Sequence, residues 1–200
     1  MSKLFVDEIV HQSSQGSGTI TIGASGETTN IVGTLQNDGS AFAQGITEAD
    51  FFVCNADQSI SNETTTLVSG NWQRSAVSDF SKIGTGMSES SGIFTFPSTG
   101  IYLVEAKGDI YANNSFLYYA NVSIDVTTNN SSYNQRTNSW NENYTANSYS
   151  STYNKCLVDV TDTSNVKIKI NAYGSGSNWT LRGNADKAET SVLFVRLGDT

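Results

Sequence analysis

The stretch at residues 92–110, GIFTFPSTGIYLVEAKGDI, holds Pro97, the only proline in the chain. A strand-like run of apolar and β-branched residues stands on each side of this proline. Because proline has no N–H to donate to a sheet, it belongs at a strand end or a corner. The stretch therefore predicts that one strand stops at Pro97, that Ser and Thr make a turn with Gly100, and that the next strand begins at Tyr102.

The run after the proline alternates between apolar and charged residues. One face carries Tyr102, Val104, Ala106 and Ile110, and the other carries Glu105, Lys107 and Asp109. Two later runs predict further apolar faces, formed by Phe116, Tyr118, Ala120, Val122, Ile124 and Val126 and by Val166, Ile168, Ile170 and Ala172. A period of two with one apolar face indicates antiparallel sheets that each pack one side on a core. With no convincing long helix, the sequence predicts an all-β sandwich or jelly roll of about ten strands.

The composition excludes several classes of partner. Charged residues make up 15% of the chain and the formal net charge is −8, whereas nucleic acids and anionic membranes attract clustered Lys and Arg. We expect neither as a partner. No apolar run is long enough for a transmembrane helix, and the N-terminus lacks the pattern of a signal peptide. Cys54 and Cys156 are interpreted as small buried thiols, with a disulfide as the alternative.

The chain is expected to contain two parts. Residues 49–200 carry the recurrent strands of the head, and residues 1–48 hold only short strand-like runs at 19–22 and 30–35. Two short strands alone are marginal in water. The first part is therefore expected to pack on a larger assembly or on copies of itself, and a flexible tail is the alternative.

A resemblance to a known family rests on the proline corner. Five residues form the pattern G-x-F-x-x-P-x-x-G-x-Y, namely Gly92, Phe94, Pro97, Gly100 and Tyr102. This pattern resembles the signature of C1q-like globular heads within the C1q/tumour-necrosis-factor jelly-roll superfamily, and the resemblance extends over residues 49–198. It implies a ten-stranded jelly roll that forms compact homotrimers and works by binding rather than catalysis. No collagen-like stalk precedes the head, and no calcium ligand of the family can be placed here, so we expect no metal and no cofactor.

The N-terminal part carries a second resemblance. The runs MSKLFVDEIV and GTITIGASGETTNIVGTLQNDGS are similar to the openings of structural proteins from tailed bacteriophages. The resemblance implies a virion-anchoring segment with Leu4, Phe5, Val6 and Ile9, a thin β stalk and a distal head. The expected protein is a trimeric fibre or spike, assembled in the host cytoplasm and located in the virion. Its expected partners are other virion proteins at the N-terminus and a glycan or protein of the host surface. The alternative is a capsid or tail decoration protein with a mainly architectural role.

Residues 133–153, YNQRTNSWNENYTANSYSSTY, are the main candidate for receptor contact. Rigid Tyr and Trp rings set among adaptable Asn and Ser are typical of antibody paratopes, and such rings can also stack on sugars. The candidate contacts are Tyr133, Arg136, Trp140, Tyr144 and Tyr149, together with Trp179 in a Gly-rich stretch. The alternative is a pair of exposed strands whose aromatic residues cover the sheet or a subunit contact.

Motifs for catalysis are missing from the sequence. It has no G-x-S-x-G elbow, phosphate-binding loop or dinucleotide fingerprint. His11 is the only histidine and stands in a polar stretch. Asp159 and Asp162 could form a carboxylate pair, but sequence spacing does not fix the spatial separation that a glycosidase needs. We therefore expect that the protein is not an enzyme.

Overall fold

The computed structural model describes residues 36–37, 40–41, 45–74 and 82–200, the first two ranges as backbone only. The chain divides into two units, Met1–Ala43 and Gln44–Thr200. In the first unit, β1 (Gln36–Asn37) pairs antiparallel with β2 (Ser40–Ala41). The expected features that lie outside the described residues are Leu4, Phe5, Val6, Ile9 and His11 and the strands at 19–22 and 30–35. The expected boundary at residue 48 stays a prediction.

In the described residues of the second unit all regular elements are strands, and all the described strand pairs are antiparallel. Its strands are β3 (Ala49–Cys54), β4 (Gln58–Ile60), β5 (Thr66–Leu67), β6 (Trp72–Arg74), β7 (Ser88–Ser90), β8 (Ile93–Thr95), β9 (Gly100–Tyr111), β10 (Leu117–Thr127), β11 (Tyr133–Asn143), β12 (Tyr149–Val160), β13 (Lys167–Ser175), β14 (Trp179–Leu181) and β15 (Ser191–Gly198). Within the described ranges, no helix could cross a membrane.

These strands form two sheets with an apolar core. The β10 sheet has the order β11-β10-β13-β8-β7, with β5 also paired to β13. The β9 sheet has the order β4-β14-β9-β15-β3-β6, with β12 also paired to β9. Phe94 of the β10 sheet contacts Phe194 of the β9 sheet, with ring centroids 5.1 Å apart. The all-β jelly-roll prediction is therefore confirmed, and the short strands of two or three residues raise the number of strands above the expected ten.

The proline corner carries the chain from one sheet to the other. β8 belongs to the β10 sheet and β9 to the β9 sheet, so residues 96–99 cross the edge of the sandwich. Phe96 stands before Pro97 and Tyr102 after it, and both rings are buried with their centroids 4.6 Å apart. The Tyr102 hydroxyl donates to the Ser98 carbonyl at 3.2 Å and lies 2.9 Å from Ser98 Oγ. Pro97 therefore ends one strand at a corner, as the sequence predicts, whereas the next strand begins at Gly100 and not at the expected Tyr102.

The two glycines of the corner pattern are required by backbone conformation and space. Gly92 has φ +83° and Gly100 has φ +137°, in the region that side chains disfavour. A Cβ at Gly92 would lie 2.7 Å from the Val68 carbonyl oxygen, and one at Gly100 would lie 2.5 Å from the Gly198 carbonyl oxygen. The G-x-F-x-x-P-x-x-G-x-Y pattern is thus explained by local geometry.

The expected alternation holds in β9 and β13 and fails at the start of β10. β9 alternates between buried and half-buried residues along its whole length. In β10, two residues face a single residue of β11 between the pairs Leu117–Asn143 and Ala120–Asn141, which is a β-bulge. The bulge shifts the phase of the strand. Leu117 is therefore buried, whereas Phe116 and Tyr118 are exposed, and the prediction that these two aromatic residues face the core is wrong.

Both cysteines are free thiols. The interpretation as free thiols is confirmed, but burial holds only for Cys54, because Cys156 is partly buried. The Cys54 thiol donates to the Ala56 carbonyl at 3.3 Å. Burial raises the pKa of Cys54 to about 11 and also raises the pKa of Cys156.

Candidate binding surfaces

The aromatic segment at residues 133–153 is divided between the two sheets. β11 pairs with β10 at the edge of one sheet, and β12 pairs with β9 at the edge of the other. Outward side chains of the two strands therefore point to opposite sides of the sandwich. The candidate contacts proposed from sequence do not form a single surface.

Asparagine and threonine side chains hold the two sheet edges together between β11 and β12. Asn141 Nδ2 donates to the Ser151 carbonyl at 2.9 Å, and Thr137 Oγ1 donates to Asn154 Oδ1 at 3.0 Å. Asn154 is buried, and its Nδ2 donates to the Val122 carbonyl at 2.5 Å. Several polar residues of this segment are thus structural, although their composition resembles that of a recognition surface.

An aromatic platform lies on the outward side of the β10 sheet, formed by Tyr119, Trp140 and Tyr173. The Trp140 ring stands at 90° to Tyr119 at a centroid distance of 5.1 Å. Tyr119 stacks on Tyr173 at 6.2 Å, and Trp140 meets Tyr173 at 6.2 Å and 88°. Trp140 is 51% exposed. A groove of about 390 Å³ is lined by Tyr119 and Trp140.

A buried amide lies beneath this platform. Asn121 is the register partner of both Trp140 and Tyr173, so the three side chains share one row across the sheet. Asn121 is only 2% exposed, and its Nδ2 has no hydrogen-bond partner among the described residues. Buried amide donors are normally satisfied. This one is unsatisfied within the row that carries the exposed Trp140 ring and the half-buried Tyr173 ring.

Acidic and polar groups border the platform. Ser175 Oγ donates to Glu63 Oε1 at 3.0 Å. Asp125 accepts hydrogen bonds from Ser123 at 2.9 Å and from Asn171 at 2.7 Å. Partial burial, the hydrogen bond to Tyr119 and the negative charge of Glu63 raise the pKa of Tyr173. The border therefore contains two carboxylates and is rich in hydrogen-bond acceptors.

The outward side of the β9 sheet carries a second surface. We call it the apolar face, and it consists of Phe51, Leu103, Tyr153, Leu157 and Leu193. Leu157 is the register partner of Leu103 and is 65% exposed, and Tyr153 is 68% exposed. Phe51 and Leu193 are register partners on β3 and β15. Together with Tyr153 they line a groove of about 410 Å³, whose lining also includes Glu105, Lys107 and Lys155.

Comparisons with known proteins find matches among solved structures. Murine APRIL superposes with a TM-score of 0.52 at 15% identity, over 75% of this chain and 98% of that one. Eiger TNF from S. frugiperda superposes with a TM-score of 0.57 at 13% identity, over 78% of this chain and 96% of that one. The chain has a TNF-like jelly-roll fold. No protein-family model and no curated protein sequence matches it.

The TNF-like second unit presents three of the expected contacts on exposed positions outside the platform. Tyr144 is 67% exposed in the loop after β11, and a hydrogen bond with Glu142 and its negative charge raise the pKa of Tyr144. Tyr149 is also 67% exposed, but it lies on the β9-sheet side, 4.7 Å from the Tyr111 ring. Arg136 is exposed and is the extra residue at an irregularity in β11.

Two expected contacts, Tyr133 and Trp179, pack against other residues of the second unit. Tyr133 lies on the outward side of the β10 sheet, where Lys169 Nζ stands 4.6 Å above its ring. Trp179 is 0% exposed in β14, which pairs with both β4 and β9. Gly174 makes room for its indole, because a Cβ there would lie 2.5 Å from Trp179 Nε1. The prediction that Trp179 contacts a receptor is wrong, since its side chain belongs to the core.

Two platform residues, Tyr119 and Tyr173, were not predicted as contacts from the sequence. Tyr173 ends the alternating run NVKIKINAY on its polar face, which is a signal that could have found it. Tyr119 lies in the bulge of β10, which the sequence does not reveal. Among the described residues, no group of three His, Cys, Asp or Glu side chains could hold a metal ion.

Proposed function

We propose that the chain is a structural protein of a tailed-phage particle, a trimeric fibre or spike whose TNF-like head binds the host cell surface. Its N-terminus would dock on the particle. One observation carries the proposal: exposed rings and aliphatic side chains occupy both outward sides of the sandwich, with Trp140 on one side and Leu157 on the other. A head with two such sides has one available for association with itself and one for a ligand.

The apolar face is the better candidate for self-association. Its Leu103 and Leu157 are neighbours in register, and its groove also includes Phe51 and Leu193. Burial of aliphatic side chains lowers the free energy mainly because their surface is removed from water, which suits a permanent contact between copies of the chain. In a closed trimer built on this face, three aromatic platforms would remain outward and could bind a multivalent cell surface together.

The virion assignment is supported by the N-terminal resemblance. The runs that resemble phage structural proteins stand in residues 1–48, before the head, and include the expected anchor at Leu4, Phe5, Val6 and Ile9. The scarcity of charge and the net charge of −8 fit a binding partner other than nucleic acid. Binding rather than catalysis is the proposed activity of the head.

Competition for host cells tests this function without reference to any particular site. Purified full-length chain is incubated with host cells, and phage adsorption is then measured against a bovine serum albumin control. We expect the chain to bind the cells and to slow adsorption in a saturable manner. A chain that neither binds the cells nor competes would contradict the proposal. A density map of the particle with the chain in the capsid shell, rather than on the tail, would favour the architectural alternative.

A further inference from the structure

We infer that the aromatic platform of Tyr119, Trp140 and Tyr173 is a binding site for a neutral pyranose glycan. The inference deepens the proposed surface-binding function, on which it rests, by naming the site and the chemical class of the ligand. The argument comes from the shape of the platform, from the amide beneath it and from the charge around it.

The shape of the platform suits a sugar ring. Tyr119 and Trp140 stand at 90° to each other, 5.1 Å between centroids, and line a groove of about 390 Å³. That volume lies within the range of small-molecule sites, roughly 300–1,000 Å³. A pyranose has an apolar face of C–H groups, which can pack on one ring while the edge of the sugar meets the other. Aromatic side chains that keep a polar group at one end favour such amphipathic ligands.

The amide beneath the platform supplies a donor that a hydroxyl could satisfy. Asn121 Nδ2 is buried without a partner in the described part of the chain, in the row between Trp140 and Tyr173. A buried donor without an acceptor is costly. Trp140 is half exposed, and a sugar hydroxyl that reaches the amide beside its ring would accept the free N–H. A purely apolar ligand would leave that N–H unsatisfied.

The polar border explains why a neutral sugar is favoured over an acidic one. Glu63 lies close enough to Tyr173 to raise the pKa of its hydroxyl, and Asp125 lies on the same side of the sheet. Lys169, the register partner of Asp125, lies on the same side with its ammonium 4.6 Å from the Tyr133 ring. The negative charge that acts on the platform is therefore that of Glu63. Sialylated or sulfated glycans would meet a negative field at this site. Neutral hydroxyls can instead donate to the carboxylate oxygens.

The size of the platform favours a glycan over a protein ligand. A stable protein contact buries about 800 Å² on each partner, and it needs a broad apolar centre with many residues. Three rings around one small groove are better matched to one or two sugar units. A protein receptor is therefore an alternative that the experiment must be able to reveal.

Saturation-transfer NMR with the full chain tests the inference. The probes are the methyl pyranosides of glucose, galactose, mannose and N-acetylglucosamine, with sialyllactose and a heparin disaccharide as the anionic arm. We expect transfer from protein aromatic protons to the C–H protons of at least one neutral sugar, and none to the anionic probes. Tryptophan fluorescence should change in parallel, because Trp140 is 51% exposed whereas Trp72 and Trp179 are buried.

Variants assign the signal to the platform. Trp140→Ala should lower the affinity for the bound sugar about tenfold or more, and Asn121→Ser should lower it as well. Tyr149→Ala is the matched control, because Tyr149 is 67% exposed on the opposite side of the sandwich and should leave binding unchanged. Circular dichroism and the unfolding midpoint verify folding. If Trp140→Ala fails to fold, Tyr119→Ala replaces it.

The outcomes separate this inference from the proposed function. Transfer to no neutral sugar, transfer only to the anionic probes, or binding that survives both Trp140→Ala and Tyr119→Ala would each overturn the glycan site. If the chain still competes for host cells in those cases, surface binding stands and its ligand is of another class. If sugars bind at the platform and the chain does not compete for cells, the glycan site stands and the proposed function fails.

Discussion

Cys54 is a residue whose ionisation is governed by burial. Its side chain is inaccessible in β3, and the pKa of the thiol is raised to about 11 from an ordinary value of 9.0. Desolvation is the main cause, because a thiolate in an apolar core loses its hydration. The thiol is therefore chemically inert at neutral pH.

The raised pKa of Cys54 predicts a pH dependence of stability. In the unfolded chain the thiol loses its proton near pH 9.0, whereas in the folded chain it keeps the proton until about pH 11. The contribution to stability is complete below pH 9.0 and is lost as pH rises towards 11. Relative to a Cys54→Ala variant, the free energy of unfolding should fall by at most about 1.4 kcal/mol per pH unit in that window. Urea unfolding of both proteins measures it, and parallel curves would contradict the prediction.

Trp140 and Trp179 show what a sequence can and cannot indicate about single residues. Both stand among Asn, Ser and Thr, and both were expected to contact a receptor. Trp140 is half exposed and Trp179 is buried. The difference comes from pairing partners distant in sequence, since β14 lies between β4 and β9. Local composition contains no information on those partners.

At the scale of the elements, the corner between β8 and β9 is the best-predicted feature. Proline, glycine and aromatic residues impose it through local chemistry, so the pattern alone identified it. The phase of β10 was predicted correctly only from Ala120 onward, because the bulge depends on how β10 meets β11. Residues 133–153 could be predicted as strands. They could not be assigned to two different sheets, because that assignment depends on pairing with β10 and β9.

The Tyr102 hydroxyl is expected to stabilise the corner. It is hydrogen-bonded to Ser98 while its ring is 1% exposed. Tyr102→Phe should lower the free energy of unfolding by about 0.5–1.5 kcal/mol, the usual net contribution of such a bond. Urea unfolding provides the measurement. Tyr118→Phe is the control, because Tyr118 is 56% exposed and its change should stay within about 0.5 kcal/mol. Equal effects of the two substitutions would argue against a special role of the corner.

At the scale of the whole molecule, self-association should couple stability to concentration. When folded trimers unfold to separate chains, mass action raises the unfolding midpoint as protein concentration increases. We expect this rise for the natural chain, with a trimer mass in sedimentation. Leu157→Asp places a charge on the apolar face and should give a monomer whose midpoint is independent of concentration.

The control for that prediction is Tyr144→Asp. It introduces the same charge at a similarly exposed position, 67% against 65%, in a loop outside the apolar face. This variant should keep the trimer mass. A natural chain that sediments as a monomer at micromolar concentration would refute self-association through any face.

The place of β15 has a consequence for synthesis. This last strand of the head lies inside the β9 sheet, where Ser191–Gly198 pairs with β3 on one side and β9 on the other. Until it leaves the ribosome, two inner strand edges remain without their neighbour, and such pairing between distant segments is slow to form. A chain cut short by premature termination cannot close its head and is exposed to proteases. A chain that ends before Ser191 therefore lacks the strand that joins β3 to β9 in this sheet.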